Sequence, residues 1–279
     1  MVRAKRKKPK KPKKPNRYER LIEKVFLEHY QSGATTVPFE RQELIDTADQ
    51  LGINVVKNIG DILYSFRNRS ELPRAIQERA PRNQTWAIMP AGRAKYRFFA
   101  VNENAFVPKE GYSETKVPDA TPGIIAMNRL GDEQALLAIL RYNRLIDIFS
   151  GVTCYSLQNH LRTYVADIGQ LETDEVYVGV DRRGAHYVFP IQAKGRGSQK
   201  LNIVQLVQDF AMCKDKFPSL ICRPIGAQFM EDDLIALLEF EETRKGIAVV
   251  DERHYRFVPW EAMTEADLED YARRADVIR

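Results

Sequence analysis

The sequence predicts an α/β (α+β) fold built in two parts, the second of them a mixed β-sheet flanked by helices. Three observations carry that expectation. Hydrophobic spacing over residues 17–100 runs helix, strand, helix, helix, hairpin. Over 132–279 it runs helices, a hairpin, an amphipathic helix, three strands and a closing helix, the alternation expected of helices layered on a sheet. Between them, 101–131 contains VPKEGYSETKVPDATPG, whose Pro, Gly and Ser punctuation reads as a linker.

Composition bounds the function classes. A chain of 279 residues is long enough for two cores of ordinary size. Hydrophobic residues at 44% and charged residues at 29% are those of a soluble globular protein. No apolar run approaches eighteen residues, so no transmembrane helix and no membrane role is expected. NRYERLIEK follows the basic start where a secretory signal would place an apolar segment. Cys154, Cys213 and Cys222 have no CxxC spacing, which favours a reducing, cytoplasmic compartment and argues against a disulfide framework or zinc ribbon. Four scattered histidines give a His-rich zinc centre little to build on.

The net charge of +5 is concentrated at the start. Arg3, Lys5, Arg6, Lys7, Lys8, Lys10, Lys11, Lys13 and Lys14 are nine bases with no acid among them. Without those nine the balance is 34 basic to 38 acidic residues, a net of −4. Residues 1–16 therefore read as a disordered Lys/Pro-rich tail. It is either a sequence-independent phosphate binder or a solubilising extension.

Within 17–100, Leu21, Ile22, Val25 and Phe26 share one helical face over 17–31. TTVPF is extended, and FERQELIDTADQLGI resumes helical spacing through Leu44, Ile45, Ala48 and Leu51. VVKNIGDILYSFRNR places Ile59, Ile62, Leu63 and Phe66 on one side of a further helix. TWAIMPAGRAKYRFFAV makes two β-like runs around Ala91, Gly92 and Arg93, a hairpin. This order resembles a winged helix. The resemblance implies a DNA reader, with Lys57, Tyr64, Arg67 and Arg69 toward DNA and Arg93, Lys95 and Arg97 on the wing. The alternative is a small helical domain that binds protein.

The second part begins at 132. DEQALLAILRYNRLIDIF reads as one helix capped by Asp132 and broken by Gly151, and SLQNHLRTYVADIG as another. After the 174–194 hairpin, LNIVQLVQDFAMCKDKF turns Ile203, Leu206, Val207 and Phe210 inward. LICRPIGAQF, LIALLEFEE and GIAVVDERHYRFVPW read as strands, and EADLEDYARRADVI as the closing helix. The six acids of EDDLIALLEFEE read as strand-end and surface charge.

The hairpin DEVYVGVDRRGAHYVFPIQAK carries the chemistry. A three-residue loop, Arg182 to Gly184, puts Gly184 at the left-handed position such loops require. Pairing Asp181 with Ala185 then sets Asp174 opposite Gln192, with Cβ atoms about 4.5–5.5 Å apart. Lys194 shares the face of Gln192, and Glu172 shares that of Asp174. A four-residue loop would shift the register by one and bring Glu175 in instead. An acid, a second oxygen ligand and a lysine on one sheet face suit phosphodiester hydrolysis with Mg²⁺, which needs few protein oxygens. The lysine would stabilise phosphate charge or help deprotonate the attacking water. Gln192 brings no charge, and Glu172, Glu175, Glu133 or Asp147 would have to restore it. Gly195 to Lys200, with Arg196, forms a basic rim, and Gln205 and Gln208 either face the site or lie on a solvated helix face. His160 reads as a structural hydrogen-bonder.

TDEVYVGV, VFPIQAKG and the following helix resemble the PD-(D/E)xK nuclease superfamily, in the Gln-x-Lys variant found among Mrr-like restriction endonucleases. Asp174 stands for the first acid, Gln192 for the second and Lys194 for the lysine, with Thr173 where Pro is common. The resemblance implies a restriction-endonuclease-like core over 132–279, Mg²⁺ with Mn²⁺ as substitute, double-stranded DNA as substrate and frequently a homodimer. A non-catalytic winged-helix regulator with a relic nuclease fold is the other reading.

Overall fold

The computed structural model describes residues 16–54, 59–68, 70–102, 104–128, 130, 132–195, 200–231 and 233–276. Residues 1–15 of the basic tail, Lys57, Arg69 and Arg196 lie outside them.

The first part follows the order its spacing predicts. Helix α1 (Arg17–His29) starts at Asn16, whose side chain takes the amides of Tyr18 and Glu19 while Glu19 reaches back, a reciprocal cap. Its buried face is Leu21, Ile22, Val25 and Phe26. Strand β1 (Thr36–Glu40) alternates, burying Val37 and Phe39. Helices α2 (Arg41–Gln50), α3 (Gly60–Asn68) and α4 (Arg74–Gln77) follow, then β2 (Thr85–Pro90) and β3 (Lys95–Val101). The strands form an antiparallel sheet in the order β1-β3-β2. Its core is aromatic: Phe26 meets Trp86 and Phe98 edge-on at 5.2 and 4.9 Å between ring centroids. The sequence reading did not contain α4, whose four residues are too few to show a helical period.

The rest comprises β4 (Ala105–Phe106), β5 (Glu114–Pro118), α5 (Gly123–Asn128), α6 (Glu133–Tyr142), α7 (Leu145–Ser150), β6 (Thr153–Val165), β7 (Gly169–Val180), β8 (His186–Lys194), β9 (Leu201–Asn202), α8 (Ile203–Lys216), β10 (Ile221–Cys222), β11 (Ile225–Phe229), β12 (Leu234–Thr243), β13 (Gly246–Val258) and α9 (Glu265–Asp276). One mixed sheet, ordered β5-β13-β12-β11-β8-β7-β6 with β10 beside β8, takes most of these strands. Helices α6 and α7 cover one face with Leu136, Leu140, Ile146 and Phe149, against Phe189, Ile191 and Ala193. Helix α8 covers the other with Leu206 and Phe210, against Val176 and Val188. It also bridges the central pair, because β8 and β11 run parallel and the chain needs a crossover between them.

Three expectations are corrected. Residues 156–169 are not a helix: most of them belong to β6, an edge strand paired antiparallel with β7. Their helical look comes partly from Leu157, which sits where the register slips between Ser156 and Gln158 and is 52% exposed. The single helix expected after Asp132 is two, broken at Asn143 and Arg144, the latter with φ +49°. Asp132 does cap it, accepting from the amide of Ala135. The expected linker is largely structured, since β5 pairs in parallel with β13 and β4 with β9. ETKVP has little apolar signal, and its partner lies about 140 residues on. Side chains fasten it: Glu114 to Arg256, and Lys116 to Asp267 of α9.

Candidate active site

The turn beneath the site has the expected form. Asp181 N–H donates to Ala185 O at 3.1 Å, Gly184 N–H to Asp181 O at 3.0 Å, and Gly184 has φ +80°. From there the pairing runs Val180–His186 down to Glu175–Ile191. One further step in that register sets Asp174 across from Gln192. The ladder ends at Glu175, and Asp174 uses its side chain instead: Oδ2 accepts the Ala193 amide at 2.8 Å.

Gln192 and Lys194 are 1% and 8% exposed. Gln192 Nε2 donates to both oxygens of Asp209 at 3.0 Å, while its Oε1 accepts from Gln205 Nε2 at 2.8 Å. Thr173 Oγ1 donates to Asp209 Oδ1 at 2.7 Å. Lys194 Nζ reaches Glu133 Oε1, at the start of α6, at 3.4 Å. Thus β7, β8, α6 and α8 each contribute a polar side chain to one end of the sheet.

The electrostatics follow from burial. Asp174 has its pKa raised by desolvation, an effect opposed by the Ala193 amide and by Lys194 and reinforced by Glu133. Asp209 is wholly buried and is pushed up to about 7 by desolvation, against the bonds from Thr173 and Gln192.

The other expected acids do not join this group. Glu175 is fully buried on the α6 side, where Arg141 Nη2 lies 2.8 Å away and Ser156 Oγ donates to it. The observed register excludes it as a substitute for Asp174. Glu172 is exposed and paired with Arg162 and His160 near the β6 edge. Asp147 pairs with Arg144 and accepts the Cys154 amide. His160, which also bonds Gln134, acts electrostatically on Asp174.

Among the described residues no group of three or more His, Cys, Asp or Glu is placed to hold a metal ion. A Mg²⁺ site needs less, one or two carboxylates with the remaining positions filled by water. Asp174 Oδ1 has no hydrogen-bond partner among the described residues, and Gln192 Oε1 keeps a lone pair beyond its bond to Gln205. That donor set fits a hard, oxygen-seeking cation held mainly through water. It is thin for zinc, which favours nitrogen and sulfur ligands.

The expected DNA-facing residues divide. Tyr64 is half exposed, and Arg93, Lys95 and Lys200 are exposed. Arg67 is not turned outward: its carbonyl accepts from Asn202, its Nε has no partner, and burial lowers its pKa. The cause is packing, because the end of α3 abuts the start of α8. Arg97 is likewise half-buried, its guanidinium 3.9 Å from Met89 Sδ. The hairpin tip rests on the β6–β7 turn, where a Cβ built at Gly169 would lie 3.6 Å from Gly92 O.

Sequence reasoning missed Asp209. Its signal is an acid at an inward position of an amphipathic helix, in phase with Leu206, Phe210 and Cys213. Compared with known proteins, the chain matches no family model, no curated protein and no solved structure. The functional reading therefore rests on geometry.

Proposed function

We propose that the chain is a divalent-metal-dependent DNA endonuclease of the PD-(D/E)xK, restriction-endonuclease-like kind, carrying a winged-helix-like reader in residues 17–100. One observation carries the reading: the hairpin register runs to Glu175–Ile191, and the next residue, Asp174, bonds its carboxylate to the amide of Ala193, between Gln192 and Lys194. The first part supports the reader through its helix, strand, helix, helix, hairpin order and β1-β3-β2 sheet.

When bound, Mg²⁺ would supply an activated water and neutralise charge building on the scissile phosphate. Asp174 Oδ1 and Gln192 Oε1 would hold the ion. Lys194, whose Nζ reaches Glu133, would bind a phosphate oxygen or take the proton of the attacking water. Hydrolysis forms a P–O bond to the water oxygen and breaks the one to the leaving sugar oxygen. The exposed Lys95, Arg93 and Lys200 would meet the DNA backbone.

A second reading, a non-cutting DNA-binding regulator, draws on the pairing of Lys194 with Glu133 and of Gln192 with Gln205. Cleavage and gel-shift assays on long duplexes, methylated and unmethylated, separate the two. The nuclease reading expects fragments with Mg²⁺ or Mn²⁺ and none with chelator. Lys194→Ala should still shift DNA while losing at least about a hundredfold in cleavage. Wild type that shifts every duplex and cuts none would leave the regulator.

A further inference from the structure

We propose that Asp209 is a positioning residue that fixes which end of the Gln192 amide faces the Asp174–Lys194 side, so that an amide oxygen serves where a second carboxylate is missing. The inference rests on the nuclease reading above and names the group that makes a Gln-x-Lys site workable.

A glutamine amide is nearly symmetric in shape, but one end only donates and the other only accepts. Left alone, Gln192 could present either end to a cation, and the NH₂ end would repel it. Asp209 removes the choice. Its two carboxylate oxygens both lie 3.0 Å from Nε2, which fixes the nitrogen as the end of the amide that meets Asp209. Gln205, one turn earlier on the same helix, fits this orientation by donating to Oε1 at 2.8 Å. The carboxylate is itself fixed, because Thr173, the residue before Asp174, donates to Oδ1 at 2.7 Å. One strand thus supplies Asp174 and, one residue earlier, the clamp on the group that orients Gln192.

A core filler would not need this residue type. Leu206, Phe210 and Cys213 occupy the same buried face of α8, and an apolar side chain at 209 would pack there without leaving a carboxylate in an apolar interior. The acid is explained by what it holds.

The test reads cation binding directly, without turnover: the full chain is titrated with Mn²⁺ and free ion is followed by electron paramagnetic resonance, alongside thermal unfolding. Asp209→Asn offers Gln192 an NH₂ group and lets the amide turn over. Affinity is expected to fall about 10- to 100-fold while the protein stays folded. Gln192→Glu alone places two carboxylates in contact and should lower the unfolding temperature. Combining Gln192→Glu with Asp209→Asn moves the charge onto the ligand and keeps a donor behind it, and is expected to restore both stability and Mn²⁺ affinity. A folded Asp209→Asn protein that binds Mn²⁺ like wild type would overturn the proposal. Should that variant not fold, a folded double variant that binds no Mn²⁺ would do the same. Wild type that binds no Mn²⁺ would remove the nuclease reading itself, before any variant is compared.

Discussion

Adjacent acids on one strand have been given opposite tasks. Asp174 leaves the ladder and bonds a neighbouring backbone amide, whereas Glu175 turns to the other face and pairs with Arg141. The hairpin register from Val180–His186 to Glu175–Ile191 was legible in the sequence, because the glycine at 184 selects the loop length and the loop sets the register. The fate of Glu175 was not legible, since Arg141 belongs to a helix more than thirty residues earlier. The pairing has a measurable consequence. Arg141→Ala leaves a fully buried carboxylate without its cation and should cost about 3 kcal/mol in chemical unfolding, at the low end of such losses because Arg141 is 38% exposed. A loss below 0.5 kcal/mol would show that Glu175 is not held as an ion there. Asp209 escaped for a related reason, and Glu133 could be named only as one of four acids: each reaches the site from a different helix, and nothing in a linear sequence says which helix face meets which strand end.

Among elements, the amphipathic helices and the alternating β1 were readable, because burial on one side leaves a period in the sequence. Strands β6 and β5 were not. The first is an edge with little to bury and a register slip that imitates helical spacing, and the second is a short edge strand whose partner is remote. Strand β11 shows how tightly the centre is built. A Cβ at Gly226, the β11 residue beside Gln192, would fall 2.4 Å from Leu201 Cδ2 and 3.2 Å from Phe240 Cε2. Gly226→Ala must push Leu201, two residues before α8 begins. It should destabilise the chain by about 1–3 kcal/mol in a urea titration. An unchanged urea midpoint would mean that the β9–α8 junction yields freely and does not hold α8 in place.

At the scale of the molecule, the two parts share a core. Ala87 and Met89 of β2 lie in the same apolar cluster as Leu206 and Phe210 of α8, and Asn202 bonds the carbonyl at the end of α3. A first part joined through a linker, the arrangement expected from composition, is replaced by one fastened through β2 and the end of α3 to α8 and Asn202. The parts should therefore unfold together: fluorescence of the buried Trp86 and far-UV circular dichroism are expected to give coincident denaturation curves. An earlier Trp86 transition would mean that the shared core adds little. On the proposed reading, such fastening would hold duplex bound along the first part in fixed relation to Asp174, Gln192 and Lys194. The most direct test is to incubate duplex DNA with the wild-type chain and Mg²⁺ in ¹⁸O-labelled water and weigh the new phosphate termini. The account expects cleavage that stops with chelator or Lys194→Ala, and one ¹⁸O at each new phosphate. Intact duplexes of every methylation state, or cut ends without label, would contradict it.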